Sequence, residues 1–461
     1  MLKKLITIFE HDFLIAGQDG DSEFSYQDGI ATMPKQDFKA LADFVKDINA
    51  KTENDENIES WLLKPSRKKS QDALKAAQFV GIVQFKDGVI VEILPKLYRP
   101  QTDVAKVNEQ TNSRDLLCKM LKTLKDARFK SFNSASLAAQ KMHLLDIFVM
   151  MFLDELDAII KQGIRSKYIP QEGNLNYFKG KLLVSQNISK NHGLLHKTFM
   201  QYDDYLPDIP ENRLIKSTLV YLLKTVSTSA LQKRIRENCF IFDDVPLSTN
   251  YKLDYSQSAH NSRLFSHYQA LIEWCNTFLT GHSFVTQHGH NSVKALFFDM
   301  NKLFESYVGA KLKIQEHSDF KSQHNQHSLA YSYKAEHFGL KPDFVFRKQD
   351  KRDNDIKEKL IIADSKWKVI RKRTQISQSD LYQMFAYYQR YKAIEQNPVK
   401  VWLIYPYHGN LASDFIHNYN FEQTFVGQDK NSIHLEIKFF DLDSDKFIDV
   451  KNQVLTHDIT G

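Results

Sequence analysis

A run of four apolar residues, Leu360 to Ala363, leads directly into Asp364-Ser365-Lys366. Such a run is typical of a strand buried on both faces, which needs other elements packed above and below its sheet. Helical and strand-like segments alternate around this run from about residue 260 onward, which is an α/β order. The last third of the chain is therefore predicted to be an α/β domain with a mixed sheet flanked by helices. Its predicted elements are a helix around Phe298 to Leu312, strands at Phe344 to Phe346 and Leu360 to Ala363, a helix around Asp380 to Tyr391 and a strand at Val399 to Tyr405.

The chain has 461 residues, which is more than one hydrophobic core normally organises. The first hundred residues alternate as short strands and turns, and Asp87-Gly88 between two β-branched runs indicates a hairpin. The polar stretch 101–114 is typical of an exposed connector, and the charged stretch 347–359 of a solvated loop. Apolar residues then recur at helical spacing from Asp115. Further helices are predicted at Ala135 to Gln162, with Gly163 as a C-terminal cap, and at Asn212 to Val226.

These patterns predict a multidomain α+β chain. We expect a β-rich N-terminal domain over residues 1–105, a helical middle domain over 114–255 and the α/β domain over 260–461. The hydrophobic fraction of 42% argues against wholesale disorder, and 62 Lys and Arg against 56 Asp and Glu is a mild basic excess. Three widely spaced cysteines suit a reducing cytoplasm, and no stretch is long and apolar enough for a signal peptide or membrane span.

The residues that carry chemistry are Asp343, Asp364 and Lys366. In a strand, Asp364 and Lys366 lie at positions i and i+2 on one face, while Ser365 points to the other. Pro342-Asp343 introduces another predicted strand, so a second carboxylate can share a Mg²⁺ ion with Asp364. Lys366 would then act as a positioned charge that orients the attacking water and stabilises charge on a phosphate. The pattern therefore predicts metal-dependent hydrolysis of phosphodiester bonds.

Context gives this triplet its specificity. Asp37-Phe38-Lys39 and Asp355-Ile356-Lys357 have the same spacing, but no apolar run leads into either. Only the triplet at 364–366 is followed by an amphipathic helix that carries Gln383 and Tyr387 on adjacent turns. The alternative is a surface salt bridge beside an unrelated turn aspartate.

The segments Pro342-Asp343 and Asp364-Ser365-Lys366 resemble the signature of PD-(D/E)XK nucleases. Gln383-Met384-Phe385-Ala386-Tyr387 is similar to the Gln-x-x-x-Tyr motif of the RecB-like branch of these enzymes. This resemblance implies that Gln383 belongs to the catalytic group. It also implies that Glu305, on the helix before the sheet, helps Asp343 and Asp364 to hold the metal.

Over nearly its whole length the chain resembles the McrC family, the nuclease subunits of McrBC modification-dependent restriction systems. The segments that carry this resemblance, besides the nuclease motifs, are Gly81-Ile82-Val83, Ile93-Leu94-Pro95-Lys96, Phe178-Lys179-Gly180-Lys181-Leu182 and Pro210-Glu211-Asn212-Arg213-Leu214-Ile215-Lys216. The resemblance implies a partner, an AAA+ GTPase (McrB) that reads methylated cytosine and whose GTP hydrolysis the N-terminal region stimulates. No G-x-x-x-x-G-K-[ST] motif occurs, because Gly180-Lys181 is followed by Leu182, so no nucleotide site is expected in this chain.

Basic residues follow the candidate site where the backbone of double-stranded DNA would pass. The expected DNA contacts are Lys368, Arg371, Lys372, Arg373 and Tyr387. An ordinary solvated loop is the alternative for the basic residues, and core packing for most tyrosines of the helix. Two other functions stay open: a non-catalytic DNA-binding or assembly adaptor with a degenerate nuclease fold, and a stand-alone repair nuclease of the RecB-like kind. The modified base, the stoichiometry and the number of metal ions are not encoded in any recognisable pattern.

Overall fold

The computed structural model describes residues 5–18, 24–52, 63–84, 89–98, 106–124, 127–129, 142–194, 196–226, 228–258, 263–280, 294–314, 318–322, 327–332, 335–350, 357–395, 398–409, 419–421 and 433–448. The strands, numbered along the chain, are β1 (Leu5–Phe9), β2 (Phe13–Ala16), β3 (Ser25–Gln27), β4 (Ile30–Met33), β5 (Leu63–Lys68), β6 (Gln71–Ala76), β7 (Phe79–Gln84), β8 (Ile90–Leu94), β9 (Lys167–Leu175), β10 (Lys181–Leu182), β11 (Thr198–Leu206), β12 (Lys294–Asp299), β13 (Ser318–Ser322), β14 (His327–Ser332), β15 (Ala335–Leu340), β16 (Phe344–Asp350), β17 (Lys357–Ser365), β18 (Val399–Pro406), β19 (Tyr419–Phe421), β20 (Ile433–Asp441) and β21 (Lys446–Ile448). The α-helices are α1 (Lys35–Thr52), α2 (Lys106–Leu121), α3 (Leu144–Gln162), α4 (Val184–Lys190), α5 (Pro210–Thr225), α6 (Ser229–Ile241), α7 (Tyr251–Gln257), α8 (Gln269–Thr280), α9 (Met300–Ile314) and α10 (Gln378–Lys392).

Two sheets share one apolar core in the N-terminal part. The first has the order β1-β8-β7-β12 and the second the order β3-β4-β2-β6-β5. Ile8 and Val91 from the first sheet and Leu14 from the second belong to the same core cluster. Helix α1 packs on that cluster through Leu41 and Val45. It was not among the predicted elements, although its apolar residues recur at helical spacing.

The turn of the predicted hairpin at Asp87-Gly88 lies outside the described residues. The strands on either side, β7 and β8, pair antiparallel from Gly81 opposite Ile93 to Gln84 opposite Ile90, as a hairpin requires. Gly81 also has a φ of +142°, a conformation that L side chains rarely adopt. A Cβ atom there would lie 2.0 Å from the carbonyl oxygen of Leu296 in β12. Only glycine therefore lets β7 and β12 pair this closely.

The strand β12 links the N-terminal sheet to the C-terminal part of the chain. It lies within the predicted C-terminal domain by sequence, yet it pairs antiparallel with β7 of the N-terminal sheet. One core cluster likewise includes Phe9, residues of α3, α5 and α8, and Leu442. The division at 105–114 and 255–260 stays a prediction, and extensive contacts cross it.

The middle of the chain is mainly helical. Helix α3 ends where expected, with Gly163 at a φ of +91° and its N–H donating to the carbonyl oxygen of Ile160. Residues 135–141 of the predicted long helix lie outside the described residues. The prediction of an exposed connector over 101–114 was wrong for residues 106–114, which belong to α2. The reason is that Arg114 is buried and pairs with Glu92 at 2.7 Å, an internal contact between distant residues that a polar sequence pattern conceals.

A three-stranded antiparallel sheet of order β10-β11-β9, which we call the arm, lies between α3 and α5 in the chain. Pro210 begins α5 at the base of the arm. The adjacent Asn212 is fully buried, and its Nδ2 donates to the carbonyl oxygens of Arg165 at 2.9 Å and Pro207 at 2.8 Å. The Pro-Glu-Asn-Arg segment therefore fastens both ends of the arm to the helices.

The C-terminal sheet has the order β13-β16-β17-β18-β20-β19, with β21 beside β20. It is mixed, because β17, β18 and β20 run parallel while β16 runs antiparallel to β17. The prediction that 347–359 is a loop was wrong at both ends, since Arg347 pairs with Leu360 and Asp350 with Lys357. Charged residues continue these two strands because backbone hydrogen bonds, rather than apolar side chains, hold this end of the ladder.

Helices cover both faces of this sheet. Ile361 and Ala363 of β17 belong to the core cluster that contains α9, whereas Leu360 and Ile362 belong to the cluster that contains α10. Among the described residues, no helix combines the length and apolar character that a membrane span requires. Cys118, Cys239 and Cys275 are free thiols.

Candidate active site

The candidate site lies at the carboxyl end of β17. Because side chains alternate along a strand, Asp364 continues the series that Leu360 and Ile362 begin and faces the α10 side of the sheet. β17 lies between β16 and β18, so Asp364 is only 1% exposed. The apolar run thus delivers a carboxylate to an interior position at the end of the sheet.

Asp343 immediately precedes β16 and reaches the end of β17. Its Oδ2 accepts hydrogen bonds from the backbone N–H and the Oγ of Ser365, both at 2.7 Å. Ser365 was not predicted to take part, because strand alternation places it on the other face from Asp364. The structure shows that this serine holds the second carboxylate beside the first, and the only sequence signal was its place between Asp364 and Lys366.

Lys366 follows β17 and is held from two sides. Its Nζ lies 2.6 Å from Oδ2 of Asp364 and donates to Oε1 of Gln383 at 3.0 Å. Gln383 in turn donates from Nε2 to the hydroxyl of Tyr387 at 2.8 Å. The backbone N–H of Lys366 donates to the carbonyl oxygen of Ile404 in β18 at 2.9 Å. The structure therefore brings together Asp343, Asp364, Lys366 and Gln383.

Burial and like charge dominate the electrostatics of the two carboxylates. Burial raises the pKa of Asp343, and the negative charge of Glu305 raises it further, despite the hydrogen bonds from Ser365. Burial also raises the pKa of Asp364, and the charge of Asp343 adds to this although Lys366 opposes it. For Lys366, burial lowers the pKa but the charge of Asp364 outweighs it, so the net shift is upward. The ammonium group consequently stays charged at neutral pH and is not a proton acceptor.

The donor set fits a hard cation. Mg²⁺ in proteins is bound by one or two carboxylates and keeps several waters. The two carboxylates have raised pKa values and repel each other, and Lys366 supplies a single positive charge beside them, so a divalent ion would balance the remaining negative charge. Oδ2 of Asp364 contacts the Lys366 ammonium but accepts no hydrogen bond of regular geometry. Within the described ranges, no three His, Cys, Asp or Glu side chains are gathered as a metal site, so Glu305 as a third ligand stays a prediction.

The expected DNA contacts differ in exposure and in the partners that they already have. Arg371 and Lys372 are exposed. Lys368 is also exposed, but its Nζ donates to the buried Asp380 at 2.7 Å, and Tyr387 is only 3% exposed. Arg373 is half-buried. Arg371 and Lys372 are therefore the residues of this group best placed to meet a phosphate backbone, while Tyr387 holds Gln383 from within the core.

The site belongs to a chain whose residues 74–406 match the model of the family described as McrBC 5-methylcytosine restriction system component. This range covers more than half of the 461 residues and includes the whole candidate site. The chain belongs to this family. The predicted resemblance to McrBC systems is thereby confirmed, and the McrBC match extends from β6 to β18.

Two solved structures resemble this McrBC family member. One is a refined half-complex from the tetradecameric assembly of Thermococcus gammatolerans McrB AAA+ hexamers with bound McrC. It has a TM-score of 0.64 and 17% sequence identity, and the match covers 99% of this chain and 100% of that chain. The other is the cryo-EM structure of the Thermococcus gammatolerans McrBC complex, with a TM-score of 0.46, 19% identity, and coverage of 67% of this chain and 87% of that chain. The first match supports a shared fold. No curated protein sequence matches the chain.

Proposed function

We propose that this chain is the DNA-cutting subunit of an McrBC-type restriction system and hydrolyses phosphodiester bonds of double-stranded DNA with Mg²⁺. The observation that carries the proposal is the buried cluster at the end of β17, where the ammonium of Lys366 lies 2.6 Å from Oδ2 of Asp364. A surface salt bridge, the alternative, would leave both groups in solvent, whereas Asp364 is 1% exposed. Burying paired acidic groups costs stability, so a functional role explains them better than a structural one.

Each residue then has a chemical role. Asp343 and Asp364 would hold the ion, with Glu305 as a further ligand, and the bound ion would supply Lewis-acid activation of water and phosphate. Lys366 stays cationic and stabilises negative charge on the attacked phosphate. Gln383 limits the movement of the lysine, because it accepts a hydrogen bond from Nζ at 3.0 Å. Tyr387 orients that glutamine, and Ser365 orients Asp343.

The phosphate backbone would meet the basic residues beyond the site. Arg371 and Lys372 are exposed and follow Lys366 closely in the chain. Both anchor their backbone N–H groups on Oε1 of Gln375, at 2.6 and 3.0 Å, so the segment that carries them is ordered. Contacts from Lys368 and Arg373 belong to the same proposal, although Lys368 would first have to leave Asp380.

We further propose that the chain acts with an AAA+ GTPase of the McrB kind and stimulates its GTP hydrolysis. The Thermococcus gammatolerans assembly contains McrB AAA+ hexamers with bound McrC, and this chain matches a chain of that assembly along 99% of its length. GTP hydrolysis in the complex would belong to that partner, because the sequence of this chain contains no Walker A motif. The N-terminal part is the proposed contact region.

The proposal is tested with the full chain, its McrB-like partner, GTP, Mg²⁺ and DNA that carries 5-methylcytosine. Asp364→Asn and Lys366→Met remove one charge each with little change in shape. We expect each to slow cleavage by at least about a hundredfold, the scale of removing one group that stabilises transition-state charge. Asp37→Asn and Lys39→Met are matched controls, because this pair has the same Asp-x-Lys spacing but lies in α1.

The outcomes separate the proposed activities. Cleavage that survives Asp364→Asn or Lys366→Met at the level of the controls would show that the catalytic assignment is wrong. GTP turnover by the partner that does not change on adding the chain would refute the stimulating role. Equal cleavage without any GTPase would instead favour a stand-alone nuclease.

A further inference from the structure

The residue next to Lys366 is tied to the first strand of the protein. Trp367 is 2% exposed, and its Nε1 donates to both carboxylate oxygens of Glu10, at 3.1 and 2.9 Å. Glu10 directly follows β1, is fully buried and lies 357 positions away in sequence. The indole ring packs on Phe304 of α9, with ring centroids 5.5 Å apart.

Lys96, which follows β8, closes this contact from the other side. Its backbone N–H donates to Oε2 of Glu10 at 3.0 Å. Its Nζ donates to the carbonyl oxygen of Trp367 at 3.0 Å and lies 3.6 Å from Oε1 of Glu10. We call Glu10, Lys96 and Trp367 the β1–β8 clamp. It grips both the side chain and the main chain of Trp367.

Burying the charged group of Glu10 lowers the stability of the fold, which a merely structural contact would not require. A buried carboxylate has to be compensated by hydrogen bonds, and burial still raises the pKa of Glu10 although Lys96 and the hydrogen bonds lower it. An apolar side chain would fill the same space without that penalty. The buried charge of Glu10 is explained if the position of Trp367 matters for function.

The clamped segment is the one that presents the candidate catalytic lysine. The backbone N–H of Lys366 attaches this residue to the sheet by donating to the carbonyl oxygen of Ile404. The carbonyl oxygen of Lys366 accepts a hydrogen bond from the N–H of Lys368, in the loop that follows β17. Asp364 and Gln383 hold the side chain of Lys366, and Asp380 holds that of Lys368. The clamp adds a hold on the main chain between these two lysines. Displacement of a reacting group by about 1 Å from a productive geometry can cost about a hundredfold in rate.

We infer that Glu10 is a positioning residue that sets the place of Lys366 by holding Trp367, so that strands β1 and β8 complete the nuclease site. The inference rests on the proposed function of Lys366 and extends it to the N-terminal sheet. The contacts of Glu10 in the clamp are with Trp367 and Lys96. It acts through the main chain of residues 366–367.

The test uses the full chain in the reconstituted complex. Trp367→Phe keeps an aromatic ring and removes the Nε1 donor, and Glu10→Gln keeps an acceptor while removing the charge. Trp402→Phe is the matched control, because Trp402 is 5% exposed in β18 and its Nε1 has no hydrogen-bond partner among the described residues. We expect kcat to fall about tenfold to a hundredfold for Trp367→Phe, and less for Glu10→Gln, with the KM for DNA and the Mg²⁺ dependence nearly unchanged. The control should match the wild type.

A second readout does not depend on activity. Hydrogen–deuterium exchange of the chain alone, without metal, reports the backbone N–H groups of Lys366 and Lys368. We expect faster exchange there in Trp367→Phe and Glu10→Gln but not in Trp402→Phe. Equal exchange and equal kcat in all three variants would overturn the inference. If the wild-type complex fails to cut DNA, the proposed function fails, while the exchange result still decides whether the clamp holds this segment.

Discussion

Replacing Gly81 by alanine tests the close pairing of β7 with β12 in the N-terminal sheet. The new Cβ would lie 2.0 Å from the backbone carbonyl oxygen of Leu296, a contact that no change of rotamer can relieve. The φ of +142° adds backbone strain of about 1–3 kcal/mol, and overpacking of a well-filled contact costs a further ~1–3 kcal/mol. We expect Gly81→Ala to destabilise the chain by roughly 2–6 kcal/mol.

Gly163→Ala separates these two contributions. Gly163 also has a positive φ, +91°, but no heavy atom lies within 4 Å of its ideal Cβ position. It therefore carries the backbone strain without the clash. Urea denaturation followed by circular dichroism compares the midpoints of both variants, since a single free energy of unfolding is poorly defined for a multidomain chain. A midpoint for Gly81→Ala that is no lower than that of Gly163→Ala would refute the close pairing of β7 and β12.

Four further predictions concern the candidate site. Asp364→Asn removes a charge that burial disfavours, so the metal-free chain should melt about 2–4 °C higher in EDTA, the shift that about 1 kcal/mol produces in a large domain; a lower melting temperature contradicts this. Because the pKa values of Asp343 and Asp364 are raised in the folded chain, stability without metal should fall as pH rises through those values. Mg²⁺ binding should accordingly release protons, and its affinity should fall on acidification. Calorimetry in buffers of different ionisation enthalpy measures both effects. An affinity that does not change between about pH 6 and about pH 8 would argue against the site. Gly309→Ala places a Cβ 2.8 Å from Cε1 of Phe344, next to Asp343, and should weaken Mg²⁺ binding in the same titration, whereas an unchanged affinity would show that the ring yields freely.

Patterns among neighbouring residues predicted those parts of the site that depend on a single strand or helix. The apolar run before Asp364 and the Pro-Asp before β16 each determine one strand and the carboxylate at its end. Their sequence alone predicted that Asp364 and Lys366 share a face, because alternation in a strand depends only on neighbouring residues. Helical spacing placed Gln383 and Tyr387 on adjacent turns of one helix, whereas the expected role of Gln383 came from the resemblance to RecB-like nucleases.

Contacts between residues that lie far apart in the chain were not predicted from the sequence. The polar residues of 106–114 suggested an exposed connector because nothing nearby in sequence announces that Arg114 meets Glu92 inside the protein. Ser365 was not predicted to take part for a similar reason, as its partner Asp343 lies 22 positions away. Helix α1 is different: its apolar spacing was present in the sequence but lay among strand-like segments that suggested a uniform β region.

The pairing of β12 with β7 has a consequence for how the protein is made. Between Gln84 and Lys294 the ribosome must add 294 − 84 = 210 residues, which takes about 10–40 s at the usual ~5–20 residues per second. Throughout that interval one edge of β7 lacks its later partner β12. The residues of this strand are mostly apolar and are buried in the finished fold. Exposed strand edges of this kind invite pairing between nascent chains. Newly synthesised copies should therefore depend on chaperone holding, or on slow production at low temperature, until the second half of the polypeptide has emerged.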